Sequence, residues 1–281
     1  MKRIAVIGAG TMGHGIAQVA AVAGYETMLT DASMPALNTA IRRISENLNG
    51  AVQRGKLTAQ QAHDAGNHLV IEPEIDRAVR QADLVIEAIV EDLDAKRTLF
   101  ARVSALAPNA ILATNTSSLS VAGIAEGAAR PERVVGMHFF NPVHIMRLVE
   151  IVPHAGTDAA ITAQASDVAR QMGKEPIVVR DTPGFASSRL GVVLGLEAMR
   201  MVEQGVASPE DIDKAMELGY GHPMGPLRVT DLVGLDVRLA IADYLHRELK
   251  DERYAAPDIL RRKVSAGELG KKTGKGFYDW P

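Results

Sequence analysis

The sequence predicts an α/β protein: a parallel, doubly wound sheet in the first two-thirds of the chain and an all-helical domain after it. Three observations predict this. Short apolar runs alternate with segments of helical periodicity up to about residue 180. Several of the runs are almost wholly apolar, as strands covered on both faces must be. Beyond Asp181 no run of strand character remains, and apolar spacings of three and four take over.

Taken in order, strands are expected at residues 4–7, 26–30, 68–71, 84–87, 111–114, 134–138, 148–152 and 176–179. A long helix over 35–54 follows from Leu37, Ile41, Ile44 and Leu48, which fall on one face. Another is expected over 158–172. The last third reads as helices over 187–204, 209–218, 227–249 and 257–266. Ser208-Pro209 supplies an N-cap and a proline at the first helical position. The domain boundary is placed at 183/184, giving domains of residues 1–183 and 184–281.

The composition is that of a globular protein, 47% apolar and 23% charged over 281 residues. A formal net charge of −3 offers no electrostatic case for nucleic acid. The absence of cysteine excludes disulfides and thiolate chemistry. No segment is apolar for long enough to cross a membrane, and the apolar run after Met1 stops at Gly8, so a cytoplasmic protein is expected.

Gly8, Gly10 and Gly13 form G-x-G-x-x-G directly after the first strand and at the start of a helix. That context makes the motif a dinucleotide-binding turn of Rossmann type. Thr11 and Met12 belong to the same turn. Asp31 closes the next strand, eighteen residues on, where a carboxylate accepts from the ribose hydroxyls and repels a 2′-phosphate. No arginine follows it directly, so NAD is expected rather than NADP.

Chemistry has to come from elsewhere in the chain. Asn115, Thr116, Ser117 and Ser118 lie just past a strand, where open α/β sheets bind ligands, although Ser118 or Ser120 also suits helix capping. His138 ends an apolar strand, and Asn141-Pro142 makes a turn. Glu150 then stands between Val149 and Ile151, a costly place for a carboxylate without a partner. A tight connection would bring Glu150 beside His138 and orient the imidazole as a general base. Taken singly, each also fits a blander reading: a structural histidine, and a glutamate on an edge strand facing water. His144 and His154 are near in sequence, but the spacings match no zinc motif, and no metal is expected.

With "IGAGTMGHGIA", "VIEAIVEDLDAK", "NTSSLS", "GMHFFNPV", "LVEIV", "DTPGF", "GHPMGPLRVTDLVGLDV" and "GKKTGKGFY" in this order, the whole chain resembles the short-chain L-3-hydroxyacyl-CoA dehydrogenases, and 3-hydroxybutyryl-CoA dehydrogenases in particular. The resemblance implies NAD, an acyl-CoA substrate and a homodimer formed through the helical domain. It implies that His138 is the base and Glu150 its partner, and that Ser117 and Asn141 meet the reacting oxygen. Glu91 and Lys96 are placed near the ribose and pyrophosphate, Lys56 at the CoA moiety and Lys272 near the nucleotide. Read without the resemblance, Glu91 and Lys96 are a surface charge pair, and Lys56 and Lys272 are solvated lysines. One position departs from the pattern: Ser188 stands where the family has an asparagine facing the substrate. Alternatives are a sister enzyme for a dicarboxylic or otherwise modified 3-hydroxyacyl-CoA, one for a CoA-free 3-hydroxy acid, a non-catalytic NAD-binding protein and a flavoprotein.

Overall fold

A computed structural model describes all 281 residues. The chain divides into two compact units, Met1–Thr182 and Pro183–Pro281. Each has its own apolar core.

The first unit holds β1 (Arg3–Ile7), α1 (Gly13–Val22), β2 (Glu26–Thr30), α2 (Met34–Gln53), α3 (Ala59–His68), β3 (Leu69–Ile71), α4 (Ile75–Val79), β4 (Leu84–Glu87), α5 (Leu93–Leu106), β5 (Ile111–Thr114), α6 (Val121–Ala125), β6 (Val134–Phe139), β7 (Leu148–Val152), α7 (Ala159–Gln171) and β8 (Glu175–Val178). The strands form one eight-stranded sheet in the order β3-β2-β1-β4-β5-β6-β7-β8. From β3 to β6 all pairings are parallel. The order reverses between β1 and β4, which opens a crevice at the carboxyl ends of those strands.

The sheet is parallel as expected apart from one pairing, at the tight connection that the sequence places between His138 and Glu150. β7 runs antiparallel to β6, because the link between them is too short for a crossover. α7 then supplies a full crossover, and β8 pairs parallel to β7. β8 forms the edge, which suits Pro176, whose missing N–H removes no ladder bond there.

Caps set several helix starts. The Ser33 side chain accepts from Ala36 N, and Thr58 forms a capping box with Gln61. α3 lacks large apolar residues and buries only Ala65, so periodicity gave no sign of it. It takes His68 as its last residue, and the strand expected from 68 starts at Leu69.

The second unit is α8 (Ser187–Glu203), α9 (Pro209–Tyr220), α10 (Pro226–Val233), α11 (Leu235–Leu249) and α12 (Asp258–Ser265). The single helix expected over 227–249 is two. Gly234 breaks it at φ +102°, a conformation that other residues rarely adopt. α9 starts as read, with the Ser208 hydroxyl accepting from Asp211 N and Pro209 in the first turn. The C-terminal tail is docked rather than solvated. Asp231 accepts from Phe277 N, Tyr278 N and Trp280 Nε1 at 2.9 Å each.

Candidate active site

The glycine turn leaves β1 and enters α1. A Cβ on Gly13 would lie 1.6 Å from the Gly8 carbonyl oxygen, and one on Gly8 would lie 2.5 Å from that of Ala88. The fold itself demands those two glycines. A Cβ on Gly10 would meet nothing within 4 Å. The chain leaves open space beside it, as it would where a pyrophosphate lies against the backbone. Asp31 closes β2 with one oxygen accepting from Ala9 N at 2.7 Å and the other from Ser33 N at 2.8 Å. It thereby ties the turn to the strand beside it.

Gly8, Gly10 and Asp31 line a cavity of about 600 Å³ with Pro73, Ile89 and Leu99. Its lining, apolar apart from Thr30, Asp31, Glu74 and Arg102, fits the adenosine half of a dinucleotide. Arg102 reaches the same cavity from α5, a contribution hidden from sequence. Its guanidinium is bound to Asp76 at 2.7 Å, so it is committed within the chain. Thr11 and Met12 lie in the turn immediately before α1.

Across the sheet, β6 and β7 bring His138 directly opposite Glu150. His138 Nδ1 lies 2.8 Å from Glu150 Oε2. Glu150 is 0% exposed and His138 nearly buried. An ionised carboxylate only accepts, so Nδ1 carries the proton and the ring lone pair is on Nε2. Phe140 stacks obliquely on the imidazole with ring centres 4.5 Å apart. Asn141 is exposed in the turn after β6, at the cis Asn141–Pro142 bond. The water-facing edge reading of Glu150 fails, because β7 is an interior strand.

The segment after β5 is held by Glu91. Its Oε1 accepts from the Thr116 hydroxyl at 2.5 Å, from Ser117 N at 2.9 Å and from the Ser117 hydroxyl at 3.2 Å. Asn115 Oδ1 accepts from Phe139 N at 2.9 Å, which fastens this segment to the strand carrying His138. Ser120, not Ser118, caps α6 by accepting from Gly123 N. Asp181 holds the same end, accepting from Val121 N and Ala122 N.

Lys96 is no surface residue. It is 1% exposed, 2.5 Å from Glu87 and 3.4 Å from Glu91. Glu87 also accepts from the Thr114 hydroxyl at 2.7 Å and from Ile89 N at 2.7 Å. Sequence reading missed Glu87, although it gives the signal that marked Glu150: a carboxylate on an apolar strand.

Lys56 lies in the loop between α2 and α3 and lines a cavity of about 690 Å³ with Arg54, Asn47, His144 and Lys174. Burial lowers the Lys174 ammonium below the ordinary lysine value, and lowers His144 likewise. Lys174 donates to the Met146 carbonyl at 2.9 Å and to that of Val143. His154 contacts the Pro131 carbonyl before β6 and accepts from Gly156 N in its own turn. In the helical unit, Ser188 sits in the first turn of α8, and Lys272 pairs with Asp236 at 2.5 Å.

Residues 3–182 match the NAD-binding domain of 3-hydroxyacyl-CoA dehydrogenase, and residues 184–280 match its C-terminal domain. The chain belongs to the 3-hydroxyacyl-CoA dehydrogenase family. Among its relatives, a probable 3-hydroxybutyryl-CoA dehydrogenase of Bacillus subtilis is 42% identical, over 100% of this chain and 98% of its own. A 3-hydroxyadipyl-CoA dehydrogenase of Escherichia coli is 44% identical over 100% of this chain, which spans 59% of that longer protein. The crystal structure of Mycobacterium tuberculosis FadB2 superimposes with a TM-score of 0.96 at 42% identity, covering 100% of this chain and 99% of that one. As a member of this family the protein is an NAD-dependent oxidoreductase. No helix is long and apolar enough to cross a membrane.

Proposed function

We propose that this 3-hydroxyacyl-CoA dehydrogenase interconverts (S)-3-hydroxyacyl-CoA and 3-oxoacyl-CoA with His138 as its acid–base group. The observation that carries the assignment is the buried contact of 2.8 Å between His138 and Glu150 on adjacent strands. Bound NAD supplies the hydride acceptor at nicotinamide C4. His138 Nε2 takes the proton of the C3 hydroxyl as hydride leaves C3, and returns it in the reverse direction. Glu150 fixes the tautomer and stabilises the imidazolium that forms. The Ser117 hydroxyl, with a single proton and two lone pairs, meets the reacting oxygen together with Asn141. Gly8, Gly10, Thr11, Met12, Gly13, Asp31, Glu91, Lys96, Asn115 and Lys272 hold or frame the cofactor. Of these, Glu91 and Lys96 act by fixing the segment from Asn115 to Ser118.

Lys56 favours a CoA thioester over a free acid. Its cavity is lined by Arg54 as well as Lys56, a setting for the phosphates of CoA. Ser188, shorter than the asparagine whose place it takes, enlarges the acyl pocket and turns preference toward bulkier or more polar acyl groups. The helical unit forms a homodimer.

His138→Ala should lower kcat at least about 100-fold with acetoacetyl-CoA and NADH, while NADH binding followed by fluorescence is unchanged. Retained turnover would refute the assignment. Ser188→Asn should raise the preference for acetoacetyl-CoA over longer acyl chains, and no change in that ratio would remove Ser188 from the pocket.

A further inference from the structure

The helical unit buries an arginine that no acidic group of the chain neutralises. Arg238, on α11, is 6% exposed, and its Nε has no hydrogen-bond partner. The nearby Thr230 hydroxyl on α10 is likewise buried without a partner. A buried cation in this state is costly, and native folds seldom leave one unpaired. The acids in the surrounding sequence are committed elsewhere. Asp231 holds the tail amides, and Asp213 accepts from Leu227 N, Arg228 N and the Tyr278 hydroxyl. Asp236 pairs with Lys272.

Room for the guanidinium is made by two glycines one turn apart on α8. A Cβ on Gly191 would come 3.5 Å from Arg238 Nη1, and one on Gly195 would come 3.0 Å from the Thr230 hydroxyl and 3.8 Å from Arg238 Nε. Arg238 faces a cavity of about 250 Å³, lined also by His222, Leu194, Pro223, Met224 and Val229. That volume lies below the range of drug-sized pockets, so it suits a ligand of a few heavy atoms. The walls are apolar apart from Arg238 and His222. Burial pushes the guanidinium down to about 10, which leaves it charged at neutral pH.

We propose that this cavity binds a small carboxylate with a short apolar stem, its two oxygens held by the Arg238 fork and its stem by the apolar wall. A planar carboxylate matches a guanidinium in a bidentate manner, and its single charge balances a single cation. A dianionic phosphate would leave excess charge against apolar side chains. The ligand is a free short-chain acid, and the proposal stands apart from the dehydrogenase reading above.

The test titrates sodium butyrate into the whole protein and into Arg238→Met, at constant ionic strength set with chloride, following thermal midpoint and heat of binding. Helical circular dichroism serves as the control for folding of the helical unit. Saturable butyrate binding by the wild type, weakened at least tenfold in Arg238→Met and partly kept in Arg238→Lys, is expected. Arg238→Met without butyrate should have a higher thermal midpoint, because it removes an unpaired buried charge of similar volume. Butyrate responses that are identical in wild type and Arg238→Met, or absent from both, overturn the proposal. So does loss of the dimer in Arg238→Met with no butyrate response, which would give Arg238 to a partner chain's acid.

Discussion

Glu150→Gln tests orientation and charge at once. The amide can donate to Nδ1, which would place the ring proton on Nε2 and block the base. A fall in kcat of about 100- to 10,000-fold with little change in NADH affinity is expected from steady-state rates and fluorescence titration. A smaller effect than that of His138→Ala would still leave the carboxylate as the partner; no effect would detach it from the reaction. The second buried carboxylate, Glu87, has a different task. Lys96→Met leaves it buried with the Thr114 hydroxyl and Ile89 N as its remaining partners. Breaking such a pair costs about 3–5 kcal/mol, readable in urea unfolding, whereas joint replacement of Glu87 and Lys96 by methionine should recover most of it. If both variants lose the same stability, the loss does not come from leaving the Glu87 carboxylate unpaired.

At the scale of elements, the glycine turn separates what the fold needs from what the cofactor needs. Gly13→Ala drives a Cβ into the Gly8 carbonyl and should destabilise the β1–α1 turn, lowering the thermal midpoint. Gly10→Ala meets nothing in the chain and should leave the midpoint unchanged while weakening NADH binding at least about tenfold, measured by fluorescence titration. Unchanged NADH affinity in Gly10→Ala would mean the dinucleotide does not run along this turn. The elements themselves were largely legible, because apolar runs and glycine spacing are local signals. The His138–Glu150 pair was legible for the same reason: a charge on an apolar strand next to a tight connection restricts its neighbours. What escaped was non-local or unpatterned. α3 has too few large apolar residues to show a period, and Gly234 is a single residue inside one. Nothing near Asp231 foretells that it receives three donors from Phe277, Tyr278 and Trp280. Nor does anything near Arg102 foretell its place in the nucleotide cavity.

For the molecule as a whole, the helical unit exposes several large apolar side chains. Leu218 is 84% exposed, Tyr220 79% and Leu190 73%, and Leu232, Val233 and Val237 are more than two-fifths exposed. Scattered single residues of this sort are ordinary, but here they come from the neighbouring helices α8 to α11 of one small unit. A second copy of the chain is the economical cover, since a twofold interface uses the same patch on both partners. Light scattering at micromolar concentration should therefore give twice the mass of one chain. Each leucine brought out of water contributes about 1.5–3 kcal/mol, so replacing both Leu190 and Leu218 by glutamate should raise the dimer dissociation constant by about two decades or more. Because the apolar cores of the two units contain neither residue, the double variant should keep its helical circular dichroism and its NADH binding. A wild type that runs as a monomer would defeat the dimer, and a double variant that stays dimeric would move the interface off this face.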